Sequence, residues 1–211
     1  MDFFELPEST KIGKVIHKNV FNQYLTSAQK KLFVDLINKI TWTNKLSSHT
    51  VNLSFIEYSE IQVFKIDLKK VEKISTLLDI IDTYIPYHII FVLCYKDMVQ
   101  LSISIKHLHP SRQNSSVIDW TFHSDWISTS EFQYRLSLKR SIDFVLKDLC
   151  LQLSGEKDVN IDITTLIASS KRKSSLERDI LILESKIKDC KQFNLKVELN
   201  LRLLELKKKS Q

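Results

Sequence analysis

Glycine and proline are scarce in this chain of 211 residues, which contains two glycines and three prolines. Loops that cradle phosphate groups need closely spaced glycines, whereas Gly13 and Gly155 lie far apart in the sequence. The sequence therefore lacks both the Walker motif and the dinucleotide-binding fingerprint, and it excludes the enzyme classes that depend on them.

Cysteine is also rare, with three residues at irregular spacing. An odd number without paired spacing predicts neither a disulfide framework nor a zinc site, and it favours a reducing compartment. His107 and His109 have no third ligand at a defined spacing, so we expect no metal site and no cofactor.

Long hydrophobic runs are absent. The first residues do not combine a basic region with an apolar core, so we expect no signal peptide. No apolar stretch approaches the roughly 20 residues that a membrane-spanning helix needs. These absences predict a soluble, cytoplasmic protein with no membrane partner.

The net charge of +6 is concentrated at one end of the chain. Residues 171–211 contain twelve lysine or arginine residues and six aspartate or glutamate residues, whereas the two kinds are equal in number in residues 1–170. Charge therefore gives no support for nucleic-acid binding by the first 170 residues, while the basic tail suits an acidic partner.

The most apolar run, 86–95, predicts a strand buried on both faces at the centre of a sheet. A one-faced helical pattern over 71–84 separates it from an alternating segment, 59–68, which is typical of a β–α–β unit. Alternation over 98–106 predicts an antiparallel neighbour with one buried and one solvated face. We expect an α+β domain over residues 1–168, with a mixed, mainly antiparallel sheet and flanking helices.

Beyond this domain, residues 169–174 have the small and charged composition of a linker, and a basic amphipathic helix is predicted over 175–209. Its apolar positions recur at alternating steps of four and three residues, as in a coiled-coil heptad. We predict that a protein partner or a second copy of the chain binds this seam, which consists of Leu176, Ile180, Leu183, Ile187, Asn194, Val197, Leu201 and Leu204. A buried Asn194 would fix register and partner number.

Two shapes of the tail fit this pattern. A continuous helix would contain roughly 33 residues and extend about 50 Å, and a helical hairpin broken near residues 192–194 is the alternative. A second apolar stripe occurs only in the latter half and consists of Leu195, Leu199, Leu203 and Leu206. That half should therefore contact more than one neighbour. Packing of the tail back onto its own domain is a further alternative to association.

One group of residues has enzymatic potential. Asp67 and Lys69 have the D-x-K spacing at the end of a predicted strand, with Glu57 and Glu60 upstream. In nucleases of the PD-(D/E)xK type, carboxylates and a lysine converge at a strand end to hold Mg²⁺ and orient water. Along an extended strand Glu60 and Asp67 would lie about 23 Å apart, at about 3.3 Å per residue. A divergent Mg²⁺-dependent nuclease is therefore an alternative hypothesis that requires a strongly bent strand.

Two basic clusters suggest a nucleic-acid-binding accessory protein as another alternative. The clusters are Lys171, Arg172 and Lys173, before the predicted helix, and Lys207, Lys208 and Lys209, at its end. Binding of DNA through these groups would weaken steeply as the salt concentration rises.

Several stretches, in order over nearly the whole chain, resemble one known family. They are ELPEST (5–10), KVIHK (14–18), ITW (40–42), KLS (45–47), EIQVF (60–64), IPYHIIFVL (85–93), KQFN (191–194) and VELN (197–200). With these motifs the chain resembles the bacterial domain of unknown function 4391 proteins, although His17 and His88 stand where that family usually has proline. The resemblance implies no catalytic residues. It implies a genomic neighbourhood, because such proteins tend to be encoded beside DNA methyltransferases and helicases of restriction or anti-phage islands.

The first hypothesis is therefore a non-catalytic accessory or assembly subunit of a bacterial DNA-modification or anti-phage defence complex. Its C-terminal helix would be the element of protein–protein association, as the heptad seam and the segregated charge indicate. The resemblance implies a helicase or a methyltransferase as the partner.

Overall fold

The computed structural model describes residues 2–112 and 115–209. The chain divides into two compact units, Met1–Val159 and Asn160–Gln211. The first unit contains a sheet flanked by helices, and the described part of the second unit is helical. No helix of the described residues has the length and apolarity that a membrane span requires.

Among the described residues, the sheet of the first unit has seven strands. They are β1 (Lys11–Ile16), β2 (Ile37–Ser47), β3 (Glu60–Leu68), β4 (His88–Tyr95), β5 (Met98–Leu108), β6 (Ser116–His123) and β7 (Ile127–Ser128). Strands β1 to β6 lie side by side in chain order, and β7 pairs with β5. Strands β3 and β4 are parallel, with Phe64 opposite Phe91, and every other pair is antiparallel. The predicted mixed, mainly antiparallel sheet is confirmed.

Four α-helices of the first unit are α1 (Ser27–Leu36), α2 (Ser48–Val51), α3 (Ser75–Tyr84) and α4 (Ile142–Ser154). Helix α1 begins with a capping box between Thr26 and Gln29, which satisfies backbone N–H groups that the first turn leaves free. Helix α4 ends at Gly155, whose φ of 69° is the left-handed conformation that glycine adopts at low cost. Helix α3 connects the parallel strands β3 and β4, so the predicted β–α–β unit is present.

A large apolar core lies between one face of the sheet and the helices α1 and α3. It contains Phe64 and Phe91 from the parallel strands, Phe33 from α1, and Leu77 and Ile81 from α3, all at most 2% exposed. Strand β4 lies in the middle of this sheet with its first six residues buried, as the apolar run predicts. Helix α4 is also largely buried, and it contacts β3 and β6.

Lys106 forms a buried ion pair with Asp82 inside this unit. The Lys106 Nζ donates to Asp82 Oδ1 at 2.6 Å, to the Asp82 carbonyl at 2.6 Å and to the Ile85 carbonyl at 2.7 Å. These carbonyls belong to the last turn of α3 and its end, where backbone acceptors lack helical partners and a positive charge is favoured. Strand β5 is thereby joined to α3.

The polar face of β5 was predicted to be solvated, and this prediction is wrong because Ser102, Ser104 and Lys106 are buried.

The second unit contains two helices, α5 (Ile163–Asp189) and α6 (Phe193–Lys209), which contact one another. Residues 169–174, predicted as a linker, lie inside α5, and this prediction is wrong. Serine, lysine and arginine do not stop a helix as glycine or proline would, so the sequence lacks a break there. Helix α5 instead ends at Cys190, whose backbone is extended. The tail is therefore a helical hairpin and not one continuous helix.

The Lys106–Asp82 pair gives a test of the fold. Both side chains are 1% exposed, so replacing Lys106 with methionine leaves a buried, unpaired carboxylate. We expect the Lys106→Met variant to lose about 3–5 kcal/mol in free energy of unfolding, measured by urea denaturation. The double variant Lys106→Met/Asp82→Leu should regain most of this loss.

A matched control is the Lys65→Met variant, which breaks the half-exposed ion pair of Lys65 and Asp67 at 3.1 Å. It should lose no more than about 1 kcal/mol. Equal losses from Lys106→Met and Lys65→Met would contradict a structural role for the buried pair.

Candidate functional site

A polar cleft lies in the first unit where strands β3 and β4 begin and β5 ends. Its volume is about 400 Å³. Its walls come from the segment before β3, the segment before β4 and the end of β5, and the lining residues are Glu57, Tyr58, Ser59, Glu60, Pro86, Tyr87, His88, Lys106, His107 and Leu108. Parallel pairing of β3 and β4 brings the first two segments together, because both strands begin at the same edge.

The segment before β3 is held by Asp143, at the start of α4. Its carboxylate accepts the backbone N–H groups of Ile56 at 2.8 Å, Glu57 at 2.8 Å and Tyr58 at 3.0 Å. Burial alone would raise the pKa of Asp143, but these hydrogen bonds outweigh burial and lower it. Asp143 therefore fixes one wall of the cleft with a charged group.

Glu60 is buried at the base of this wall. Its carboxylate accepts a hydrogen bond from Gln62 Nε2 at 2.8 Å and forms an ion pair with Lys45 Nζ at 2.7 Å. Lys45 comes from the antiparallel strand β2, where it lies opposite Gln62. The three polar groups satisfy one another at the edge of the sheet, so the charge of Glu60 is compensated.

His88 is the first residue of β4, and only 6% of it is exposed. Its ring lies edge-on to the Tyr58 ring, with centroids 4.6 Å apart. Burial, reinforced by the charge of Lys106, lowers the pKa of His88 to about 4, so the imidazole is neutral at pH 7. Its Nε2 atom is buried and has no hydrogen-bond partner among the described residues.

Glu57 adds a negative charge to the cleft beside the neutral hydroxyl of Tyr58. Burial raises the pKa of Tyr58 to about 12, and the charge of Glu57 and a hydrogen bond to its side chain contribute further. The Glu57 carboxylate is exposed and forms no ion pair with the described residues. Lys106 is also in the wall, but its three donors are already used by Asp82 and Ile85.

The four residues of the nuclease hypothesis lie at two ends of β3. Glu57 and Glu60 line the cleft, whereas Asp67 forms an ion pair with Lys65 at the far end of the strand. Lys69 Nζ donates to the Val34 carbonyl at 2.7 Å. In the described part of the chain, no group of three or more histidine, cysteine, aspartate or glutamate residues is arranged to hold a metal ion. The structure does not bring these four residues together.

The second candidate surface is on the helical hairpin. The predicted seam positions of α5 are half-buried or buried, and they are Leu176, Ile180, Leu183 and Ile187. Three of the four second-stripe positions of α6 are half-buried, namely Leu199, Leu203 and Leu206, whereas the fourth, Leu195, is 43% exposed. We call these three α6 residues the inner stripe. The remaining seam positions, Asn194, Val197, Leu201 and Leu204, are exposed on α6.

Helix α6 therefore has a second, uncovered apolar side. We call Phe193, Val197, Leu201 and Leu204 the outer stripe, because their exposed fractions are 79%, 44%, 60% and 57%. They follow one another at helical spacing and form a continuous row along α6.

The predicted basic clusters are exposed as well. Lys171, Arg172 and Lys173 lie within α5, and the second cluster forms the last turn of α6. Lys207 in that turn forms an ion pair with Glu184 of α5 at 2.8 Å, which joins the two helices.

The protein has an α+β fold with two surfaces suited to binding. One is the polar cleft at the start of β3 and β4, and the other is the exposed apolar row on α6. The chain belongs to the family described as Domain of unknown function (DUF4391), which it matches over residues 4–209. No curated protein and no solved structure matches the chain. The family membership predicted from the sequence motifs is confirmed.

Sequence reasoning missed most residues of the cleft. Lys106 lines it from β5, and Asp143 and Lys45 bind lining residues from elements that are distant in the sequence. Glu57 and Glu60 were candidates from the sequence, but for metal-dependent chemistry, and His88 is a further local signal, a polar residue at the start of an otherwise apolar run. A buried histidine in such a run is a reason to examine the surrounding strand ends for a binding site.

The neutral state of His88 predicts a pH-dependent stability. An unfolded histidine has a pKa of about 6.5, whereas folded His88 has a lowered pKa of about 4. Below pH 6.5 the unfolded chain binds a proton that the folded chain does not, so stability is lost as the pH falls. We expect about 2 kcal/mol of this loss to come from His88 between pH 7 and pH 5, measured by urea denaturation at each pH.

The His88→Asn variant retains the other five histidines and is the matched comparison. Its free energy of unfolding should change less over this pH range than that of the unaltered protein. The same pH dependence in both proteins would show that His88 is not held neutral.

Proposed function

We propose that this protein is a non-catalytic accessory subunit that assembles with a protein partner through the outer stripe of α6. The observation that carries the proposal is the row of Phe193, Val197, Leu201 and Leu204, whose side chains are 44–79% exposed. Contiguous exposed apolar surface on a soluble protein marks an interaction site. Amphipathic helices commonly bind partners through residues at this spacing.

Hydrophobic burial gives the association its driving force. Covering a leucine or phenylalanine side chain contributes about 1.5–3 kcal/mol when the side chain is fully removed from water. The inner stripe is already half-buried in the chain itself, so a partner would gain mainly from the outer stripe.

The charge of the hairpin bears on the choice of partner. Residues 171–211 carry six more basic than acidic side chains, and a second copy would bring the same excess to the contact. Like charges oppose association, whereas an acidic protein surface would be attracted. Charge therefore favours a different, acidic protein over self-association.

The genomic neighbourhood implied by the family resemblance indicates which partners to test first. These are a DNA methyltransferase or a helicase of a restriction or anti-phage island. The proposed role is to assemble such an enzyme into a defence or DNA-modification complex.

A substitution in the outer stripe tests this function. The Leu201→Gln/Leu204→Gln variant should lose about 2–4 kcal/mol of association free energy, or about thirtyfold or more in affinity. Tagged full-length chains would be purified from native cells, and the co-purified methyltransferase or helicase would be quantified. Light scattering on the purified chain would report self-association.

The matched control is the Glu198→Gln/Arg202→Gln variant, which alters two exposed polar residues of the same helix. It should retain the partner. Recovery of the same partner at the same level by the leucine double variant would contradict the proposal, provided that its circular dichroism spectrum is unchanged.

The nucleic-acid and nuclease hypotheses stay predictions. A DNA-binding protein would show affinity that falls steeply with salt and depends on Lys171, Arg172 and Lys173. A nuclease would show Mg²⁺-dependent cleavage that the Asp67→Ala variant lacks.

A further inference from the structure

We propose that the polar cleft at the start of β3 and β4 binds an organic cation, a guanidinium or alkylammonium group carried on an apolar stem. The ligand class includes the side chains of arginine and lysine and small amines of the same chemistry. The cleft lies within the first unit, whereas the proposed assembly surface lies in the second, so this inference does not depend on the proposed function.

The charges around the cleft favour a cation. Lys45 is paired with Glu60 and Lys106 with Asp82, so each nearby lysine has a carboxylate partner. The exposed carboxylate of Glu57 forms no ion pair with the described residues. The cleft therefore has an excess of negative charge that attracts a positively charged ligand.

The hydrogen-bonding groups favour a ligand that donates. Carboxylates accept hydrogen bonds only, and the ammonium donors of Lys106 are already used inside the protein. His88 adds a neutral imidazole whose buried Nε2 atom is without a hydrogen-bond partner in the described residues. A buried polar atom left without a partner destabilises the protein, and a bound ligand that pairs with the ring would remove this cost.

The rim of the cleft suits an apolar stem. Tyr87 is 40% exposed and Leu108 is 68% exposed, and Pro86 lies beside Tyr87 in the same wall. The methylene groups of an arginine or lysine side chain can pack on such surfaces, and a cation can lie over the face of a tyrosine ring.

Size and ligand geometry separate an organic cation from a metal ion. A cleft of about 400 Å³ is within the range of small-molecule sites. The described residues offer no group of three or more protein ligands that could hold a metal ion. Glu57 and His88 lie in different walls of the cleft, and an extended cation with several donors can reach both where a single ion cannot.

The test uses the full-length chain and three soluble probes. N-acetyl-arginine amide represents an arginine side chain of a peptide, agmatine represents a small amine, and N-acetyl-citrulline amide has the same shape as the first but no charge. Binding would be followed by NMR, with the His88 ring signals reporting on the cleft and calorimetry giving the affinity. We expect both cationic probes to shift the His88 signals and the citrulline probe to bind about tenfold or more weakly.

Two variants test which carboxylate contributes to the affinity for the arginine probe. Glu57→Gln removes an exposed charge but keeps a side-chain oxygen that can accept from Tyr58, and it should weaken binding of the arginine probe about tenfold. Glu198→Gln removes a charge from α6 and should leave the affinity unchanged.

Three results would overturn the proposal. The first is equal affinity for the arginine and citrulline probes. The second is binding that leaves the His88 signals unchanged, and the third is that neither cationic probe binds. Stronger binding of the peptide-like arginine probe than of agmatine would identify a protein segment as the source of the cation, and the reverse order would identify a small metabolite. Either order supports a cation site. Loss of assembly without loss of probe binding would show that only the proposed function fails.

Discussion

The ammonium group of Lys106 holds the end of α3 against strand β5. A single side chain donates to Asp82 Oδ1 and to two backbone carbonyls at the end of the helix, and both side chains of the pair are 1% exposed. Burying two charges costs energy that their attraction offsets only when the geometry is good and the remaining donors are satisfied. Because α3 leads directly into β4, this contact also determines where Pro86 and His88 lie.

The opposite wall of the cleft depends on a second charged group. Asp143 binds three consecutive backbone N–H groups before β3, where the chain has no strand partner to satisfy them. Both walls are therefore positioned by charge-assisted hydrogen bonds, which are stronger and more directional than contacts between neutral groups. The apolar core between the sheet and helices α1 and α3 supplies stability, while these two groups set the geometry of the polar edge.

Local patterns were enough to predict the central strand, the β–α–β unit and the mainly antiparallel sheet, because each depends on hydrophobic periodicity within one element. They failed for Lys106, since alternation places a polar residue on the solvated face only when no helix covers that face. They also failed for the linker, because nothing in residues 169–174 breaks a helix. The turn at Cys190 was ambiguous because the heptad pattern continues across it. The role of Asp143 was beyond local reasoning, because its partners lie more than eighty residues away.

The two stripes of α6 differ in what limits the amino acids they can contain. Changes in Leu199, Leu203 and Leu206 affect the chain's own packing and should be limited by its folding whatever else it binds. Val197, Leu201 and Leu204 are exposed, so the packing of the hairpin does not limit changes at these positions. Under the proposed function, the outer stripe is therefore the part of this helix where a new partner preference can arise, because substitutions there do not alter the packing of the inner stripe.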